Sequence, residues 1–233
     1  MLVLGNVISN HAMDGVLVNG EGADANRIRE NFVRCVGTAV GIRVASGDRN
    51  VVTNNALSGG AAGVYIVGTA NSNRIVRNTI TSNTEGVTIG AGGAVRNRID
   101  TNMIDGRGRA GTGVAISNGV ATVVTNNDVR RYAGRGILLG GGSARSIVFL
   151  NRLFGNTGAT GHGIEVVGST NNLVRNVVRS NAGIGTKVSN GISNRVLNNV
   201  AYGNGNDGFR VVSSPIGTRV HNNIAQANGG QGI

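Results

Sequence analysis

The chain has 233 residues, 40 of them Gly and 1 Pro, which suits one domain or two and excludes a collagen-like or Pro-rich linker sequence. Charged residues are 14% and the 39% apolar residues are mostly Val and Ile, which excludes a charge-rich disordered tail and favours a pleated, buried surface. The net charge of +11 comes from 22 cations, all Arg except Lys187, against 11 acids; it attracts polyanions, but with no Lys/Arg run and no aromatic stacking set it does not describe a nucleic-acid module. Nothing approaches 18 continuous apolar residues, so no transmembrane helix and no membrane partner are read here. No charged segment followed by an apolar run opens the chain, so no signal peptide is read in it. The lone Cys35 leaves the redox compartment unread.

Along the chain an asparagine recurs at Asn6, Asn31, Asn55, Asn78, Asn102, Asn127, Asn151, Asn176, Asn199 and Asn223. Intervals of 23 to 25 residues held throughout mark a solenoid. Coil two runs Asn26-Arg-Ile-Arg-Glu-Asn31, then Phe-Val-Arg, a turn, and Gly41-Ile-Arg-Val. Coil four repeats this with Asn73-Arg-Ile-Val-Arg-Asn78, Thr-Ile-Thr, and Gly86-Val-Thr-Ile. Coil nine does so with Asn194-Arg-Val-Leu-Asn-Asn199, Val-Ala-Tyr, and Gly208-Phe-Arg-Val. Each coil therefore holds three short strands. The strand after the Gly alternates most clearly, with inward columns running from Val16 to Phe209 and from Val18 to Val211. Between them lies a mixed, outward column containing Arg43, Tyr65, Glu165, Lys187 and Arg210. The strands on either side of the recurring Asn supply further inward columns, for example Ile28, Val52 and Ile75, and Val33, Leu57 and Ile80.

A spacing of two, broken by Gly and Asn every few residues, excludes helix. The expectation is an all-β, right-handed, single-stranded parallel β-helix. It has about ten coils of about 24 residues and three strands per coil, forming one domain over 1–233. Stacked coils place like residues about 4.8 Å apart. The recurring Asn is expected to take the left-handed bend between two strands and to bond along its own column. A second, shorter ladder is expected from Asn10, Asn83, Asn156, Asn181, Asn204 and Asn228. Both termini fall mid-coil with no visible cap, so the domain reads as part of a longer protein or as one that stacks end to end with another copy.

With Asn-Arg-Ile-Val-Arg-Asn at 73–78, Asn-Arg-Val-Leu-Asn-Asn at 194–199 and the Gly-Val/Ile-x-Val/Ile strands, the repeat resembles that of the pectate-lyase-like superfamily over essentially the whole chain. The resemblance implies the fold and a secreted or periplasmic location. It also implies where to look, since in many of these enzymes substrate lies over the strand that here begins with the repeated Gly. It does not choose among lyases, polygalacturonases, epimerases, tailspikes, metal-associated periplasmic proteins and adhesin stems.

Two columns line that groove: the mixed one, and the one before the Gly, which includes Asp14, Val40, Ala62, Glu85, Thr112, Arg135, His162, Ile184 and Asp207. Polar residues gather in coils six to nine as Arg135, His162, Glu165, Lys187, Asp207 and Arg210. β-elimination or C5 epimerisation of a uronate needs a cation at the carboxylate, a base for the C5 proton and an acid for the leaving oxygen. Lys187, His162 and Arg210 are the catalytic candidates, and Arg135, Glu165 and Asp207 the substrate-binding ones. The competing reading is a surface salt-bridge ladder in a non-catalytic stem. The residues leave the choice between enzyme and stem open.

No metal and no cofactor are expected. The eleven acids are scattered, and Glu21 and Asp24 read as a solvated loop rather than a calcium turn. His11, His162 and His221 fall in different columns or distant coils. Gly106-Arg-Gly-Arg-Ala-Gly111 matches G-x-G-x-x-G, but no helix is expected after it, so it reads as a chance match. Tyr132 and Tyr202 read as partly exposed turn or edge residues. The partner expected is an acidic polysaccharide.

Overall fold

A computed structural model describes residues 1–213 and 216–233. Among them every regular element is a strand, and none is a helix long and apolar enough to cross a membrane. The strands form three parallel sheets of ten, ten and nine. Sheet A runs from Leu2–Leu4 to Arg219–His221, sheet B from Val7–His11 to Ile224–Gln226, and sheet C from Val16–Asn19 to Phe209–Val212. Each coil gives one strand to each sheet in turn, so neighbours within a sheet are one coil apart. This is the right-handed parallel β-helix that the period implies.

The register stacks like on like. Arg27, Ile28 and Arg29 face Val51, Val52 and Thr53, and the middle residue of each triplet points inward. Ile28, Val52, Ile75, Ile99, Val124 and Val148 line one wall of a dry interior, and Val64, Val87, Val114 and Ile137 another. Burying these β-branched columns stabilises the rod by roughly 1.5–3 kcal/mol per side chain. Val211, expected inward, is 42% exposed, because the strand that carries it is the last of sheet C and no further strand covers it.

The corners differ from expectation in one respect. The recurring Asn does not itself take the left-handed bend; the residue before it does. Glu30, Asn54, Arg77, Thr101, Asn126, Leu150, Arg175, Asn198 and Asn222 all have φ between 53° and 58°. The bend turns the chain and aims the next side chain inward, where Asn bonds along the column. Asn127 shows the full pattern. Its Nδ2 donates to Ile99 O at 3.0 Å, Thr125 O at 2.9 Å and Asn151 Oδ1 at 3.0 Å, while its own Oδ1 accepts from Asn102 N and Nδ2, each at 2.9 Å.

The second ladder holds for Asn156, Asn181, Asn204 and Asn228, which bond in sequence through their side chains. Asn10 does not belong to it. It has φ 61° and is exposed, and a bulge between Ser9 and His11 puts it at the bend instead. Asn83 bonds to Gly59 O. A third ladder, not anticipated, occupies the corner between sheets C and A. Asn26, Asn50, Asn73 and Asn97 are linked through backbone N–H to side-chain Oδ1, and Asn171 and Asn194 likewise. Thr122 and Ser146 interrupt it.

Candidate functional site

Sheet C carries the polar residues picked out by the sequence. Its register sets Glu165 beside Lys187 and Lys187 beside Arg210 on consecutive strands. Glu165 Oε1 lies 2.9 Å from Lys187 Nζ, and Arg135 Nε donates to its other oxygen. One carboxylate thus bridges two cations. Arg210 instead faces Asp207 at 3.6 Å on its own strand approach. Four consecutive coils form the cluster, because the columns are continuous and each strand is one coil from the next.

Burial decides the electrostatics. Glu165 points outward but is only 4% exposed, covered by its two partners. Burial alone would raise its carboxyl, yet the Lys187 ammonium and the Arg135 guanidinium outweigh it and hold the group below the usual carboxylate range. His162 is pushed down, first by burial and then by Lys187, Arg135 and Arg210 against the opposing charge of Glu165. Its Nδ1 accepts from Ile184 N at 3.0 Å. In a neutral imidazole the proton then sits on Nε2, so the ring offers a donor.

The column before the Gly is less open than expected. Val40, Ala62, Thr112, His162 and Ile184 are all buried, which leaves Asp14, Glu85, Arg135 and Asp207 half-exposed. Sequence reasoning passed over Glu85. Its carboxylate accepts from Thr112 N at 3.1 Å, and burial pushes its pKa up to about 7 against that bond and the charge of Arg135. Its place in the column marked it; its burial is a property of the fold. Glu85 is two strands from Arg135, about 10 Å, and lies in a different stretch of the face from Lys187.

Toward the N-terminal coils, Arg43 pairs with Asp14 at 2.6 Å and stacks over Tyr65 at 4.9 Å. The whole face therefore carries Arg43, Arg135, Lys187 and Arg210 against Asp14, Glu85, Glu165 and Asp207. These cancel, so eighteen cations and seven acids remain on other faces and all of the +11 lies there. The net positive charge does not reside in this groove.

Among the described residues no group of three or more His, Cys, Asp or Glu is placed to hold a metal ion. Asp24 instead accepts from Asp48 N and pairs with Arg49. Gly106–Gly111 lies in the turn between Met103–Asp105 and Val114–Ile116, with no helix after it. Tyr202 is an exposed edge residue, but Tyr132 is a correction. It is fully buried, because it takes the ladder position at the sheet B–C corner and its backbone N donates to Asn156 Oδ1.

Solved structures with the same winding share little sequence. The periplasmic alginate epimerase AlgG matches over 86% of this chain and 60% of its own, at 15% identity and TM-score 0.67. A C387A variant of DFA-IIIase from Arthrobacter chlorophenolicus A6, in complex with DFA-III, matches over 92% and 60%, at 19% identity and TM-score 0.63. Pectate lyase Pel9A matches over 87% and 62%, at 15% identity and TM-score 0.56. The chain spans about three fifths of the length of each. No curated protein sequence matches it. At these identities the likeness carries the winding alone, but the family model described as "Right handed beta helix region" matches residues 1–128 and 112–233, and the coil period, parallel register and ladders agree with it throughout: the chain belongs to that family.

Proposed function

We propose that this β-helix is polysaccharide-directed and binds an acidic glycan along sheet C. The observation that carries the reading is the Arg135–Glu165–Lys187 bridge on an open strand face, with the neutral His162 beside it and Arg210 one strand on. A uronate laid along the column would meet Lys187 and Arg210 at its carboxylates, with Arg135, Glu165 and Asp207 setting their positions. The processing this set suits is β-elimination or C5 epimerisation. Arg210 would neutralise the carboxylate, Lys187, after giving its ammonium proton to solvent, would take the C5 proton, and His162 Nε2–H would hydrogen-bond to the leaving oxygen. Support comes from the fold's occurrence in an alginate epimerase and a pectate lyase. The periplasmic setting of the first supports a secreted or periplasmic location. A lyase assay at about 235 nm, with NMR for epimerisation, across pectate, alginate and glycosaminoglycans tests it. Product that vanishes in Lys187→Ala is the expected result; full activity in that variant removes the assignment.

A second reading is a non-catalytic stem. It is favoured by the pairing itself, since every cation named on this face already has an acid within 4 Å. Absence of product and of glycan binding by this face would support it. End-to-end association of copies belongs to the same reading, and sedimentation over a concentration series would test it.

A further inference from the structure

A groove of about 780 Å³ lies over the N-terminal half of sheet B, on a different face from the cluster above. Its shape follows from turn lengths. From the recurring Asn to the Gly that opens the next strand is ten residues in coil two, eight in coils three and four, and eleven in coil five. The short turns form a floor and the longer ones form walls. The floor presents hydroxyls from Ser58, Thr79 and Thr81, and the rims present the exposed apolar side chains of Phe32 and Met103. The far wall is the Gly106–Gly111 turn. It projects Arg107 and Arg109 toward the groove, and Arg34 stands at the near wall.

These three guanidiniums form no ion pair among the described residues. The wall itself is fixed. Buried Asp105 accepts from Arg107 N at 3.1 Å and pairs with Arg130 and Arg131, so the acid in the turn holds the backbone and leaves the Arg107 side chain free. Gly108 N donates to Arg131 O, and Arg109 N to Gly106 O. Unpaired cations set around a hydroxyl-lined trough suit a ligand that is anionic, polar along its length and flat on some faces.

We infer that this groove is a binding site for an anionic oligosaccharide, whose carboxylate or sulfate groups meet Arg34, Arg107 and Arg109 while its ring faces lie against Phe32 and Met103. Coils two to five cover about 14 Å, so the ligand is a short stretch of a longer chain. A nucleic acid fits less well, because the trough holds one exposed aromatic ring rather than a series for successive bases. The site is independent of sheet C: it binds whether or not that face processes anything.

The full chain titrated calorimetrically with an oligogalacturonate hexamer and a heparin-derived hexasaccharide tests this, with a neutral dextran oligomer and a single-stranded RNA as comparisons. The Arg34→Ala/Arg107→Ala/Arg109→Ala variant is expected to bind the anionic sugar roughly tenfold or more weakly. Thr81→Trp, which fills the floor and keeps every charge, is expected to do the same. The triple variant is expected to keep any lyase or epimerase product formed on sheet C, which separates the groove from the sheet C proposal. Hydrogen exchange on the unaltered chain needs no substitution and is expected to show protection at residues 32–37 and 103–109. Unchanged affinity in either groove variant, or protection confined to sheet C, overturns the proposal. So does RNA binding as tight as the sugar's, or a wild-type dimer that the triple variant dissolves.

Discussion

The polar cluster of sheet C, on coils six to nine, and the groove on sheet B, on coils two to five, use the same residue types, yet they treat charge oppositely. On sheet C four cations meet three acids, and the central one, Glu165, is buried beneath its two partners. In the groove three arginines form no ion pair among the described residues, and Asp105 is occupied in holding the wall. A paired cation is already neutralised, and a ligand must displace its partner before binding it. An unpaired cation presents its field to whatever enters. Net charge alone therefore does not locate a polyanion site; the pairing pattern does.

The largest effect should come from the scaffold beneath both faces. Asn127 makes its bonds at the corner that feeds sheet B, and through the stack it positions sheet C. Asn127→Ala removes three donated bonds and the acceptor for Asn102, leaving buried carbonyls without partners. We expect a loss of about 3 kcal/mol by denaturant titration. Arg130→Ala should cost about 1 kcal/mol or less, since Arg131 still holds Asp105. Equal midpoints for the two would mean that the ladder does not carry the corners.

The contrast between faces is sharpened by one substitution on each. Glu165→Gln leaves Arg135 and Lys187 without their shared acid, and a cost of about 2 kcal/mol is expected. Arg107→Ala removes a side chain that pairs with nothing and should change stability by less than about 0.5 kcal/mol. If the two variants melted together, the pairing distinction would have no energetic content.

A smaller effect should appear in the pH dependence. The folded-state pKa of Glu85 is about 7, against an ordinary value of 4.5, so the folded protein holds this proton more tightly than the unfolded chain does. Stability from this group is complete below pH 4.5 and is lost as pH rises toward 7. Glu85→Gln should abolish that decline, gaining about 1 kcal/mol at pH 8 after allowance for partial exposure and nothing at pH 4. Glu165, held below the ordinary range, acts in the opposite sense: its contribution is lost on acidification. Parallel stability curves for wild type and Glu85→Gln from pH 4 to 8 would contradict the burial argument.

How much of this could be read beforehand depends on whether a feature repeats. The coil period, the inward columns and the neighbours Glu165, Lys187 and Arg210 were legible because register repeats them. The bend was placed one residue late, because nothing in its side chains announces it: Leu150, Arg77 and Glu30 all take it. The third Asn ladder was hidden by Thr122 and Ser146, which break the pattern without breaking the corner. The groove was invisible for a different reason. It is made by the differences between coils, in turn length, and aligning the coils on their common residues removes those differences. Whether an arginine has a partner is also a matter of three dimensions, so the free cations could not be told from the paired ones.

The smallest effect concerns the residue that joins the two faces. Tyr132 takes a ladder position at the sheet B–C corner, fully buried, with its hydroxyl lacking any partner. Its ring packs where a Cβ on Gly106, in the groove wall, would collide at 2.7 Å, and its hydroxyl lies 2.9 Å from where a Cβ on Gly86, next to Glu85, would stand. Burial, followed by the charges of Glu85 and Asp105, raises its phenol far above the ordinary value, so it stays neutral at any working pH. An orphaned buried hydroxyl contributes volume and no bond. Tyr132→Phe keeps the volume, and we expect it to leave stability unchanged or to raise it by up to about 1 kcal/mol. A loss of more than that would reveal a buried water bonded to the hydroxyl. Tyr132→Asn would restore the ladder bond in sequence terms but empty the space behind Gly106 and Gly86. It should be the worse variant, because at this corner the ring fills space that the groove wall and the strand of Glu85 both rest against.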